Sequence, residues 1–187
     1  MIHHQSTIIY CLLVLWGLTE WFIKSRTKKN VSNSSQDKGT RYVIIASVVL
    51  SIAMLNNPFN INILLPEWGI YLGILLMILG IIFRVYAINY LGKAFTLTVQ
   101  AADNQKLISS GPYSIVRNPA YTGTIISILG LAFITLNIFN ILIVFIILSI
   151  GYAIRIRTEE EVLEQHFGRI YQDYCQKVKY RLFPFIW

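Results

Sequence analysis

From Trp68 to Leu91 the chain is apolar without a break, and its one charged side chain is Arg84. A span of bilayer takes roughly 20 such residues. Inside hydrocarbon a segment must satisfy its own backbone, which a helix does and an open strand does not. Four further apolar runs cover residues 6–23, 42–55, 121–136 and 138–156. The runs at 68–91 and 138–156 are long enough to span. The run at 42–55 is short and stops at Asn56-Asn57-Pro58. Leu136-Asn137-Ile138 joins the last two runs so tightly that they must form an antiparallel hairpin. The expected fold is an all-α integral membrane protein of about five transmembrane helices.

Charge sets the expected orientation. The chain has 16 Lys and Arg against 9 Asp and Glu, a net charge of +7, yet 55% of its residues are hydrophobic and only 13% charged. That balance belongs to a membrane protein, and the cations cluster between apolar runs rather than over polar helices as in a nucleic-acid binder. Lys24, Arg26, Lys28, Lys29, Lys38 and Arg41 fill the first connection. Lys93, Lys106 and Arg117 occupy the third, and Arg155, Arg157, Arg169, Lys177, Lys179 and Arg181 follow the last run. The start, the second connection and the Asn137 turn have none. By the positive-inside rule the N-terminus lies outside and the C-terminus in the cytoplasm. MIHHQSTI lacks the basic region of a signal peptide, so the first run is read as a retained helix. Cys11 and Cys175 do not suggest a disulfide framework.

The longest polar interval between apolar runs is residues 100–123, QAADNQKLISSGPYSIVRNPAYTG. Gly111-Pro112, Asn118-Pro119 and Gly123 make it a shaped loop, in which Tyr113 and Tyr121 bracket Arg117 and Asn118. On the same side, Arg155 and Glu159 are four apart and share a helix face, with Arg157, Glu160, Glu161 and Glu164 around them. Within the membrane, Glu20 is expected to pair with Lys24 at the interface. Arg84 is read either as a snorkelling anchor or as part of a site. With Arg155 and Glu159 it makes up the catalytic candidates. Glu159 could take an ammonium, an arginine could clamp a carboxylate, and tyrosine rings could flank a heterocycle or sulfonium. No dinucleotide fingerprint, phosphate loop or metal-spaced His/Cys cluster occurs, and no metal or nucleic-acid partner is expected. The residues alone reach a cytoplasm-facing membrane site for a zwitterionic or cationic small molecule.

After Thr158 the sequence TEEEVLEQHFGRIYQDYCQKV predicts an amphipathic C-terminal helix lying on the membrane surface or capping the bundle. Val162, Leu163, Phe167, Ile170 and Tyr174 would share its apolar face, with Gly168 only a mild interruption.

The segments Arg84 to Ala87 (RxxA), Leu91-Gly92, Val99-Gln100, LISSGPYSIVRNPAYTG and RIRTEEEVLEQHFGRIYQDYCQKV together resemble the isoprenylcysteine carboxyl methyltransferase family. The resemblance covers about residues 68–185. It divides the chain into membrane helices and a basic linker at 1–67 and a methyltransferase core at 68–187. It implies an integral membrane methyltransferase using S-adenosyl-L-methionine. By position, the family's cofactor contacts fall on Gln100, on Gln105, Lys106, Leu107 and Ile108, on Tyr113, on Asn118, Pro119, Ala120 and Tyr121, and on Glu159. Arg117 and Glu160 fall beside them. The family arginine facing the methyl acceptor falls on Arg155. The family usually places histidine before the proline; Asn118 stands there instead and can hydrogen-bond but not titrate.

The implied reaction is in-line displacement at the cofactor's methyl carbon, driven by positioning in a water-poor cleft. The implied acceptor is a prenylated cysteine carboxylate or another lipophilic molecule entering from the bilayer. Methylation of a lipophilic phenol, thiol or phospholipid amine is the alternative, with a membrane reductase and a non-catalytic binding protein as readings from other classes.

Overall fold

The computed structural model describes residues 2–26, 39–92 and 107–187. Gln100, Gln105 and Lys106 therefore lie outside the described residues. Among the described residues six α-helices follow in order: α1 (Ile2–Arg26), α2 (Thr40–Met54), α3 (Trp68–Leu91), α4 (Pro119–Ile134), α5 (Ile138–Phe167) and α6 (Arg169–Lys177). A 3-10 turn, Gly111–Ser114, precedes α4. The described residues form no strand, only an isolated bridge between Leu64 and Asn137. Among the described residues three helices, α1, α3 and α5, are long and apolar enough to cross a membrane, while α2 and α4 are shorter apolar helices.

Lipid tails are as apolar as leucine, so membrane helices associate through close packing rather than through exclusion of water. Glycines in α3 and α4 show this directly. A Cβ added at Gly73 would lie 2.6 Å from the Gly130 carbonyl oxygen, and one at Gly80 would lie 2.7 Å from that of Gly123. The two backbones therefore touch. Around this seam Met77, Ile128, Leu131, Ile134, Val144, Leu148 and Ile156 form the fully buried core. The layer is completed by α2 along α5, where the Ser47 hydroxyl fills the space beside Gly151.

Tight turning at one end explains the α4–α5 hairpin. Leu136 adopts a left-handed backbone, φ 54°. The Asn137 side chain then accepts from the Phe139 amide at 3.0 Å, capping α5, as asparagine does at helix starts. Its Nδ2 donates to the Ile61 carbonyl at 2.7 Å, and the Leu65 amide donates to the Leu136 carbonyl at 2.7 Å. The second connection and the hairpin turn thus share one face of the bundle. The end of α1 and the starts of α2 and α4 meet on the other.

The tail differs from its sequence reading. The last span continues unbroken to Phe167. Gly168 then takes φ 52° and ψ −124°, a positive-φ conformation that ends the helix and that glycine enters without a Cβ penalty. The break is complete, and it resets the helical phase. Val162 and Tyr174 face inward as expected, but Ile170 is exposed and Tyr171 is buried in its place.

Candidate functional site

Arg155 is 2% exposed, although it lies in α5 where the apolar stretch gives way to the charged one. Its guanidinium is held from two other elements. Nη1 donates to the Thr40 hydroxyl at the start of α2, at 2.9 Å, and Nε donates to the Tyr121 phenol oxygen at 3.2 Å. That phenol in turn donates to Glu159 Oε2 at 2.7 Å, which also lies 3.8 Å from Arg155 Nε. The Glu159 side chain retains 30% exposure. A buried cation and a reachable carboxylate are thus joined through one tyrosine hydroxyl, with the Tyr152 ring 5.1 Å from that of Tyr121.

Helix α4 brings Tyr121 into place, and two independent sets of contacts fix its first turns. The first is inside the bundle. Arg84 grips Glu20 in a two-pronged pair, Nε to Oε1 at 2.6 Å and Nη2 to Oε2 at 2.9 Å. Nη1 donates to the Ala120 carbonyl at 3.1 Å and the Thr124 hydroxyl at 2.6 Å. Glu20 therefore pairs with Arg84, not with Lys24 as the sequence suggests. In low dielectric a two-pronged partner on α3 outweighs a flexible lysine one turn away on the same helix. Nor does Arg84 snorkel: its charge is neutralised inside, between α1, α3 and α4.

The second set comes from the residues after α6. The Arg117 and Asn118 amides donate to the Tyr180 and Arg181 carbonyls, both at 2.9 Å. Asn118 Nδ2 donates to the Arg181 carbonyl at 3.2 Å, and the Thr122 hydroxyl to the Leu182 carbonyl at 2.7 Å. Glu160 joins both segments, accepting from Arg117 Nε at 2.8 Å and Arg181 Nε at 2.9 Å. Arg117 Nη1 reaches the Val178 carbonyl at 3.0 Å. Asn118 begins α4 without capping it through its side chain. The amide is turned to the tail, and Pro119 follows at the first helical position, where its missing N–H costs nothing.

On the outer side of this turn Tyr113 is buried, its hydroxyl donating to the Ala87 carbonyl at 3.4 Å. Its own carbonyl accepts from the Tyr174 hydroxyl at 2.7 Å. Leu107 packs against Tyr171, Tyr174 and Val178, and Ile108 beside it is half-buried. Burial, reinforced by the nearby Glu159 charge, raises the Tyr113 phenol above its ordinary value. Burial likewise raises Tyr171 and Tyr174. Tyr113 is therefore protonated at neutral pH.

The structure thus gathers Arg155, Glu159, Tyr121, Asn118, Pro119 and Ala120 at one end of the bundle, with Tyr113, Leu107 and Ile108 beside α6. Arg117 and Glu160 meet each other and the tail, and Arg84 lies with Glu20. Other participants carry less signal in the sequence. Tyr152 was detectable, being three residues before Arg155 and on its helix face. Thr40, Thr124 and the tail carbonyls carry no local signal, because they meet their partners only across the fold.

Comparison with known proteins follows the same architecture. The family model described as phospholipid methyltransferase matches residues 68–170. A probable protein-S-isoprenylcysteine O-methyltransferase of Oryza sativa subsp. indica is 30% identical over 97% of this chain and 97% of its own length. Protein-S-isoprenylcysteine O-methyltransferase B of Arabidopsis thaliana is 34% identical over 93% of this chain and 90% of its own length. The solved structure of the eukaryotic intramembrane Ras methyltransferase, an isoprenylcysteine carboxyl methyltransferase, shares the fold with a TM-score of 0.70 at 24% identity. It matches 95% of this chain, which spans 65% of that longer protein. With its helical membrane bundle and these relatives over nearly its whole length, the chain belongs to the isoprenylcysteine carboxyl methyltransferase family of integral membrane methyltransferases.

Proposed function

We propose that this protein transfers a methyl group from S-adenosyl-L-methionine to the carboxylate of a lipophilic acceptor of the isoprenylcysteine type, at a site facing the cytoplasm. The observation that carries the reading is Arg155: a guanidinium buried where the apolar part of α5 ends, fixed by Thr40 and Tyr121 beside a reachable carboxylate. When bound, the cofactor supplies an electrophilic methyl group on a sulfonium.

The donor set fits such a molecule. Glu159 is the reachable carboxylate for its ammonium group, and the rings of Tyr113 and Tyr121 are the aromatic neighbours for its cationic and heterocyclic parts. Leu107, Ile108 and the turn from Asn118 to Tyr121 form the adjoining wall, with Gln100, Gln105 and Lys106 as further contacts. We give Arg117 and Glu160 the task of holding that wall, since each is already tied to the tail. We likewise read Arg84 as positioning α4 rather than touching reactants.

Proton bookkeeping favours a carboxylate acceptor. A phenol or thiol acceptor must lose a proton, whereas a carboxylate is already ionised at neutral pH. Tyr113 is held protonated by its burial and is not a base. Arg155 orients an anionic acceptor through charge-assisted hydrogen bonds. Its buried, pre-set geometry avoids reorganisation during the reaction. The acceptor's apolar tail stays in the bilayer while its carboxylate reaches the helix end.

The decisive experiment places purified protein in vesicles with radiolabelled S-adenosylmethionine and either an N-acetylated S-prenylcysteine or phosphatidylethanolamine. A base-labile methyl ester on the prenylcysteine is expected. Label on the amine lipid instead, or on neither, overturns the carboxylate reading.

A further inference from the structure

The residues that tie down the start of α4 continue into a feature that the methyl-transfer site does not use. Leu182 is buried against the bundle core, and Phe183 and Trp187 pack beside it. Between them the chain turns: the Ile186 and Trp187 amides both donate to the Phe183 carbonyl, at 3.2 Å and 3.3 Å. At this turn Phe185 takes φ 67°, a left-handed backbone that a bulky residue adopts only against a steric cost. The turn holds Phe185 and Ile186 outward, 89% and 80% exposed. Phe185 keeps only a tilted ring contact with Tyr180, at 5.4 Å.

The depth of this tip follows from α4. That helix has 16 residues, about 24 Å at 1.5 Å per residue, while the hydrocarbon layer is about 30 Å thick. Its first turn therefore stands at or just inside the edge of the acyl region. Asn118 and Thr122 in that turn are bonded directly to Arg181 and Leu182. A tip beginning at Phe183 lies at the same level. Lys177 and Lys179, both exposed, precede it, and cations at this level are drawn to anionic headgroups.

We propose that residues 183–187 form a membrane-surface anchor, with Phe185 and Ile186 seated in the boundary between headgroups and acyl chains. The occupant of this apolar tip is the bilayer itself. Because the carbonyls of Tyr180, Arg181 and Leu182 hold the start of α4, the anchor fixes the wall of the site relative to the membrane surface.

The test needs no enzymatic turnover, so it is independent of the proposed acceptor and cofactor. In a background carrying Cys11→Ser and Cys175→Ser, Ile186→Cys is labelled with an environment-sensitive fluorophore and reconstituted into phosphatidylcholine–phosphatidylglycerol vesicles. Asp173→Cys on the exposed side of α6 is labelled for comparison. Emission at position 186 should shift to the blue, be quenched by lipid nitroxides placed near the headgroup, and resist aqueous iodide, unlike position 173. Iodide quenching at 186 equal to that at 173 overturns the proposal. A second variant guards against a label that disturbs the turn. Phe185→Ser with Ile186→Ser should speed trypsin cleavage after Lys177 and Lys179 several-fold in vesicles, with helix content unchanged. An unchanged cleavage rate overturns the anchor as well.

Discussion

At the residue scale, Arg155, Tyr121 and Glu159 act as one hydrogen-bonded unit. Replacing Tyr121 by Phe keeps the ring and removes the shared hydroxyl. A lost hydrogen bond to charged groups is worth about 1.5–3 kcal/mol, so kcat/KM should fall by about 10–100-fold. Arg155→Lys retains charge but loses the planar fork. Turnover of an anionic acceptor should fall by about 10–100-fold, the scale of a lost charge-assisted bond, while binding of S-adenosylmethionine stays within error by calorimetry. Glu159→Gln should show the opposite split, with weakened cofactor binding. If both variants weakened cofactor binding equally, the division of labour between these residues would be wrong. The i to i+4 spacing of Arg155 and Glu159 was legible from the sequence because a helix repeats locally. The Thr40 contact was not, because 115 residues separate the partners.

At the element scale, α4 is the piece everything else holds. Gly80→Ala places a methyl 2.5 Å from the Ser127 amide nitrogen and 2.7 Å from the Gly123 carbonyl, and backbone atoms there cannot rotate away. Overpacking of this kind costs about 1–3 kcal/mol, which should appear as a lower midpoint in thermal unfolding in detergent. Glu20→Gln leaves the Arg84 charge without its partner. Removing one half of a buried pair costs about 3–5 kcal/mol, and the 26% exposure of Glu20 places this pair toward the lower end. Replacing both members with Gln and Leu should recover part of the loss; no recovery would show that Arg84 acts through Ala120 and Thr124 alone. Burial holds Tyr113, Tyr171 and Tyr174 above their ordinary value of 10.0. The folded state then retains protons that the unfolded chain releases, so this contribution is whole below about pH 10 and lost as pH rises further. In difference titrations against a variant carrying Tyr113→Phe, Tyr171→Phe and Tyr174→Phe, the tyrosinate absorbance of these three should appear together with loss of helical circular dichroism. Its appearance near pH 10 without loss of helix would contradict their burial.

At the scale of the whole molecule, the helix ends form two faces. Asn56 lies beside one face and Gln172 beside the other, both exposed. Cysteines at these positions, in a background without Cys11 and Cys175, should react with membrane-impermeant reagents from opposite sides of sealed vesicles, with position 172 on the cytoplasmic side. Labelling of both from one side would contradict the bundle as a membrane-crossing unit.

Much of this architecture is a property of the chain taken locally. Runs such as Trp68 to Leu91 must be helices, because hydrocarbon offers their backbone no other partner. Spacing placed Arg155 with Glu159, and Asn137 marked the hairpin turn. Tertiary structure decided the partners of the charged groups. Glu20 had a lysine four residues away, yet its partner is Arg84, 64 residues distant, because a buried guanidinium selects the carboxylate that can meet it with two bonds. The same holds at Gly168, where a full break turns Tyr171 and Tyr174 inward and brings the Tyr174 hydroxyl to the Tyr113 carbonyl. Sequence periodicity determines which face of a helix is apolar; only packing determines what that face meets.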